Sequence, residues 1–203
     1  MTFWDLLRLG GVTMYFLMLL SIFSIAVIIE RLFLYGRAVW IPHERLMGMV
    51  RLEMTQKHLD QARDFCLKSD TPSARVVLAG LGVKNFRREL MESAMERQIV
   101  IETMRLEKRI SIVGTIGSTA VYVGLFGTVL GIINAFQELS SKSSGGVPTA
   151  INGIGEALVC TAVGLCVAVP AVVAYNYFVK KVDDQVKAME LCASETMDLC
   201  EGQ

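Results

Sequence analysis

The strongest constraint in this chain is a stretch, residues 110–137, that contains no charged side chain. A helix that crosses a membrane needs about 20 predominantly apolar residues, and this stretch exceeds that length. In hydrocarbon the backbone must satisfy its own amides, so a stretch of this kind folds as a helix. Within it, residues 123–136 read VGLFGTVLGIINAF. Gly124, Gly127 and Gly131 recur at three- and four-residue spacing and share one helical face. Such a face lets another helix approach backbone to backbone, which is how helices pack in lipid. Thr128 lies beside it. Its plain reading is a hydroxyl bonded to a carbonyl one turn back. Its functional reading is a polar group near mid-membrane. A second run, residues 153–178, repeats the pattern: Ala157, Thr161, Gly164 and Ala168 form one narrow stripe of small residues around a single hydroxyl.

A third apolar run, residues 9–29, lies between Arg8 and Glu30. With mean hydropathy +0.47 and 53% hydrophobic residues, three such runs predict an all-α, multi-pass membrane protein. The first run is too long for a signal-peptide core, has almost no basic leader and lacks a small-residue cleavage site, so it is expected to be retained. Its Leu, Ile, Met and Phe content suits a lipid-facing helix. Arg31, Arg37, Lys108, Arg109, Lys180 and Lys181 flank one side of the spans, and Arg8 and Lys142 the other. The basic side is cytoplasmic, so the N-terminus is expected outside.

The segments that follow are an outer N-terminal segment at residues 1–11, a first span at 12–34 and a cytoplasmic helical insertion at 35–109. A second span follows at 110–137, an outer loop at 138–152, a third span at 153–179 and a cytoplasmic C-terminal helix at 180–203. Trp4 at the outer end, and Tyr35, Trp40, Tyr175 and Tyr177 at the inner end, suit interfacial belts. In the insertion, residues 45–67 have helical character, with Leu46, Val50, Met54 and Leu59 about a turn apart. Asp70 and Thr71 mark a break, and Pro72 suits the first turn of the next helix; Lys84 and Asn85 mark another. From Phe86 the chain reads as one helix running straight into the second span, with Leu90, Ala94, Arg97, Ile101, Met104 and Ile112 near one stripe. Beyond Lys181, Val182, Val186, Met189, Ala193 and Cys200 continue a helical stripe.

Zero net charge gives no case for nucleic acid. The residues 124–131 lack the Gly-Lys-Ser/Thr ending of a phosphate loop. Five cysteines without zinc-ligand spacing read as small apolar packing residues, and His43 and His58 have no partner motif. No metal, cofactor or enzymatic constellation is expected. Glu156 is the only Asp, Glu, Lys, Arg or His within the last two spans as bounded above. A carboxylate at membrane depth is a functional candidate by default, although near a helix start it can also serve the helix dipole. Thr128 and Thr161 cannot titrate, but their hydroxyls can order a water file or a carboxylate. A path needing a second membrane carboxylate would take it from another polypeptide. Pro170 frees the carbonyl of Cys166, so a kink is expected there.

These residues resemble the MotA/TolQ/ExbB proton-channel family, and its ExbB/TolQ branch more closely. The match is carried by Gly124-Leu125-Phe126-Gly127-Thr128-Val129 with Gly131, Asn134 and Phe136. A second block matches as well: Gly155-Glu156-Ala157-Leu158, Thr161-Ala162, Gly164-Leu165, Pro170-Ala171-Val172 and Tyr175-Asn176. Where the family often has a Pro before the glycine motif this chain has Val121-Tyr122, and Cys160 replaces a small apolar residue. The resemblance implies a homopentamer in the bacterial inner membrane, its second and third helices lining a central pore. It implies that a single-span ExbD/TolR-like partner carrying a membrane Asp sits in that pore, with a TonB/TolA-like protein as a further partner. By position, Thr128, Glu156 and Thr161 match the family's pore-lining polar residues. The function implied is a proton-motive-force-driven motor subunit that energises an envelope process such as TonB-dependent transport. Alternatives from other classes are a passive channel or solute transporter, and a structural scaffold of an envelope complex.

Overall fold

The computed structural model describes residues 11–38, 43–56, 58–83, 87–141 and 146–201. Among them are seven helices and no strand: α1 Gly11–Ala38, α2 His43–Thr55, α3 Leu59–Ser69, α4 Pro72–Leu81, α5 Arg88–Glu107, α6 Ile110–Ser141 and α7 Gly146–Glu201. Three of these helices are long and apolar enough to cross a membrane, over Val12–Phe33, Ile110–Ser140 and Ala150–Cys200. Trp4, Trp40, Lys142, Lys84, Asn85 and Phe86 lie outside the described residues, as does all but the last residue of the expected outer N-terminal segment.

Two compact units divide the chain, Met1–Glu30 with Arg109–Tyr177, and Arg31–Lys108 with Phe178–Gln203. In the first unit, Leu17, Ala120 and Ala168 are buried together, as are Val27, Val113 and Ala171. Phe16, Ile22, Phe126, Leu158 and Val173 face outward. Small residues inside and large apolar ones outside are what hydrocarbon selects, because lipid supplies no hydrophobic drive between helices and close backbone packing must replace it. The second unit has the opposite pattern. Leu46, Val50, Met54, Val76, Val77, Leu81, Met91, Met95 and Met189 are buried in one core, each large side chain adding roughly 1.5–3 kcal/mol. Burial pushes the Cys66 thiol in this core up to about 11, in keeping with an inert packing residue.

The local grammar of the second unit departs from the sequence reading at three points. Helix 45–67 is two helices, α2 and α3, with the chain turning at Gln56 and His58. No Gly or Pro marks the break; it lets Val50 and Met54 meet Ala62 and Cys66 in one core, and that burial outweighs helical continuity. Thr71 caps α4 by accepting from the Ala74 amide at 3.2 Å, and Pro72 takes its first turn. The expected run from Phe86 through the second span is broken at Lys108–Arg109, where Arg109 adopts φ 66°. Arg109 pairs there with Glu30 of α1. The stripe expected on α5 is also the wrong one: Leu90, Ile101 and Met104 are exposed, while Met91, Met95 and Glu102 are buried.

Two further expectations are revised. The loop over 138–152 is narrower, since helix runs through Ser141 and resumes at Gly146; Glu138 and Glu156 are both helical. Tyr35, expected in an interfacial belt, is buried against Phe178 with ring centroids 5.6 Å apart and donates to the Leu106 carbonyl at 2.7 Å. Tyr177 remains exposed. Helix α7 stays helical through Pro170.

Candidate functional site: the hydroxyl seam of the first unit

Helices α6 and α7 meet along their small residues. A Cβ added at Gly131 would lie 2.6 Å from the Ala157 Cβ, and one at Gly127 2.9 Å from the Cys160 Cβ. One at Gly124 would lie 2.9 Å from the Cys160 carbonyl oxygen and 3.2 Å from the Thr161 Cα; one at Gly164 would lie 2.8 Å from the Ala120 carbonyl oxygen. Real Cβ atoms do not approach so closely, so the glycines permit a contact that any side chain would wedge apart. The neighbour that fills the glycine stripe is this chain's own α7. Ala157 and Ala168 are buried in the same seam.

The seam brings the two hydroxyls together. Thr161 Oγ1 lies 3.3 Å from Thr128 Oγ1 and 3.2 Å from the Gly124 carbonyl oxygen. Thr128, only 7% exposed, donates to the Leu125 carbonyl at 2.6 Å. Its proton is therefore committed to its own helix, and its oxygen is available to accept from Thr161. The Thr161 proton has two acceptors, both at long range. Its lone pairs can accept from a water or a protonated carboxyl, and a rotation about χ1 lets it donate to a carboxylate instead. Absence of a Cβ at Gly124 is what allows Thr161 to reach that carbonyl.

Glu156 is half-buried and not part of the hydroxyl pair. It lines a cleft of about 600 Å³ in the same unit with Asn152 and Cys160 of α7, Asn134 and Glu138 of α6, and Thr13 of α1. Thr13 Oγ1 and Cys160 Sγ lie 3.9 Å apart on its wall. Sequence reasoning named Asn134 only as part of the family resemblance, and did not name Glu138, Asn152 or Thr13. The signal was present: Asn134 with Glu138, and Asn152 with Glu156, are spaced four apart, so each pair shares a helix face. Glu138 ends the uncharged run, yet the apolar helix continues past it to Ser140. A second missed feature is an exposed hydroxyl face on α6 formed by Ser111, Thr115, Ser118 and Thr119. Thr115, Ser118 and Thr119 return their protons to carbonyls three or four residues back, so lipid would tolerate that face and it does not by itself mark a pore.

In the second unit the unforeseen feature is Glu102, 1% exposed. It accepts from Arg75 Nε at 3.0 Å and Nη2 at 2.9 Å, from Gln98 at 2.8 Å and from Arg105 at 2.8 Å. Partial burial works against the Arg75 charge, but hydrogen bonds and charge from Glu102 and Asp70 outweigh it and raise its pKa above the ordinary value. Every strong contact of this carboxylate is internal, which fits a structural role. Among the described residues no group of three or more His, Cys, Asp or Glu could hold a metal ion.

A sequence model described as the MotA/TolQ/ExbB proton channel family matches residues 68–191. The chain is 38% identical to a biopolymer transport protein ExbB of Xanthomonas campestris over 50% of this chain and 40% of that protein. It is 48% identical to the Tol-Pal system protein TolQ of Pseudomonas aeruginosa over 42% of this chain and 37% of that protein. A biopolymer transport protein ExbB of Salmonella typhimurium is 32% identical over 65% of this chain and 61% of its own length. The chain thus spans about two fifths of the length of the first two of these relatives.

Proposed function

Because the chain belongs to the MotA/TolQ/ExbB proton channel family, we propose that it is an ExbB/TolQ-like inner-membrane subunit of a proton-driven motor. In this reading it spans the membrane three times with its N-terminus outside and assembles as a pentamer around a pore. A single-span ExbD/TolR-like protein supplies a membrane aspartate, and proton flow through the pair energises an envelope process, acting on a TonB/TolA-like protein. Thr128, Thr161 and Glu156 form the chain's share of the path.

The observation that supports this best is the Thr161–Thr128–Gly124 contact. A proton carrier crossing hydrocarbon needs polar groups that do not themselves hold charge, since an unpaired charge at that depth is costly. Two adjacent hydroxyls meet that need. When the partner carboxylate is ionised, Thr161 donates to it; when the carboxylate is protonated, Thr161 accepts from it and returns its own proton to Gly124. The same side chain therefore serves both protonation states without a change of charge. Names such as biopolymer transport protein belong to the relatives and support the reading by likeness.

Thr161→Val keeps the shape and deletes the hydroxyl. It is expected to abolish proton flux in liposomes carrying this chain and its single-span partner, with protein level and assembly unchanged. Thr161→Ser is expected to retain most of the flux. Normal flux in Thr161→Val would reduce the hydroxyl to a packing feature and remove the main support for the reading.

A further inference from the structure

Arg31 is a cation that the fold encloses and leaves without a counter-charge. It lies near the end of the first apolar span, Val12–Phe33, yet it is only 5% exposed and its Nε meets no hydrogen-bond acceptor. Glu30 beside it is engaged by Arg109. Among the described residues no carboxylate forms an ion pair with Arg31, and the segments at 39–42 and 84–86 contain no Asp or Glu. Three helices converge one turn further along α1, where Tyr35 donates to the Leu106 carbonyl of α5 and stacks on Phe178 of α7. Burial pushes the Tyr35 hydroxyl up to about 12 while the Arg31 charge pulls it down, so the two groups are electrostatic neighbours. Glu107 also acts on Tyr35, but it is exposed and its carboxylate does not pair with Arg31. Lys108, exposed two residues beyond Leu106, adds a second cation near this point. A buried charge without a partner is costly, and nothing in the proton path uses this one.

We propose that Arg31 anchors a phospholipid in the leaflet on the basic side of the spans, with the anionic headgroup phosphate as its counter-ion. The end of an apolar span is the level at which headgroups lie, and basic pockets between membrane helices take anionic headgroups there. Arginine suits the task because its planar fork donates to two phosphate oxygens at once. The chain also offers a surface to the rest of the lipid. Leu32 and Phe33, next to Arg31, are 56% and 78% exposed, so acyl chains can lie against apolar side chains beside the charge. A free phosphate would use the cation and leave that surface bare. This site requires a chain that spans the membrane but not the proton path, so either reading can fail alone.

The test uses the full chain in detergent, without any partner protein, and two readouts: native mass spectrometry and the thermal transition. Phosphatidylglycerol is added, with phosphatidylcholine and inorganic phosphate as the comparisons. The parent should retain phosphatidylglycerol in preference to phosphatidylcholine, and phosphatidylglycerol alone should raise its transition. Arg31→Gln should lose the preference by roughly fivefold and melt at the same temperature with and without the lipid. Lys180→Gln is the control. Lys180 is exposed near the same end of the spans but, two residues on from Phe178, it lies on the opposite face of α7, so the parent behaviour should persist. A parent without lipid preference overturns the proposal whatever the variants do. So does an unchanged preference in Arg31→Gln. An equal loss in Lys180→Gln reduces the effect to general surface charge. A transition raised as much by inorganic phosphate makes the ligand a free anion, and one raised only by the single-span partner makes the counter-ion a protein carboxylate. Each of these three results also rejects the lipid site.

Discussion

Thr161 and Glu102 are both polar side chains in apolar surroundings, and their neighbours assign them opposite roles. Thr161 has acceptors at 3.2 and 3.3 Å and lone pairs left over, so it can exchange partners. Glu102 is saturated by Arg75, Gln98 and Arg105, so it has no capacity left for a new partner. Glu102→Ala removes the Glu102 contacts of Arg75 but leaves it paired with Asp70, and is expected to destabilise the second unit by about 1–3 kcal/mol, the cost of leaving a partly buried polar group short of a partner. Thermal denaturation of the detergent-solubilised protein would register this. Arg105, 62% exposed at its side chain, contributes far less, because water screens a surface pair; Arg105→Ala should shift the transition little. Equal effects of the two substitutions would show that the network is not centred on Glu102.

At the scale of the helix, the seam between α6 and α7 depends on what is missing. Six glycines, Gly114, Gly117, Gly124, Gly127, Gly131 and Gly164, each occupy a place where a Cβ would fall within 3 Å of the opposite helix. At Gly164 the obstacle is backbone, the Ala120 carbonyl oxygen at 2.8 Å, which cannot rotate aside. Gly164→Ala is therefore expected to cost about 1–3 kcal/mol by overpacking and to lower the melting temperature in detergent. At Gly80 the close atoms belong to the flexible Met95 side chain, so Gly80→Ala should be milder. A Gly164→Ala protein that melts with the parent would mean the helices can separate there at no cost. The break at Lys108–Arg109 has another origin. Helix α5 turns Met91, Met95 and Glu102 inward while α6 turns Val113, Ile116 and Ala120, and a two-residue turn frees the two faces from a single helical phase.

For the molecule as a whole the decisive question is orientation. The six basic residues on one side of the spans argue for a cytoplasmic second unit. In the proposed orientation Ser140, exposed at the end of α6, is expected outside and Ser93, on α5, inside. With native cysteines replaced, Ser140→Cys should label in intact cells with an impermeant reagent and Ser93→Cys should label only after lysis. The reverse pattern would invert the topology.

What the amino-acid order determined by itself was the membrane helices, the glycine and hydroxyl stripes and the family they belong to. Each of these is a property of spacing along one helix, and hydrocarbon leaves few alternatives to a segment without charge. Which stripe meets which was decided only by tertiary packing. Gly131 meets Ala157, and Thr128 meets Thr161, across a separation that no local rule spans. In the second unit the local signal was weaker still. Helix α5 is amphipathic in neither direction, with Leu90, Ile101 and Met104 outside and Glu102 inside. Its buried face is chosen by Arg75, a residue far away in sequence whose charge makes burial of a carboxylate affordable. Glu138 shows the same limit. In the sequence it ends an apolar run; in the fold, Glu156 and Thr13 make it one wall of a cleft.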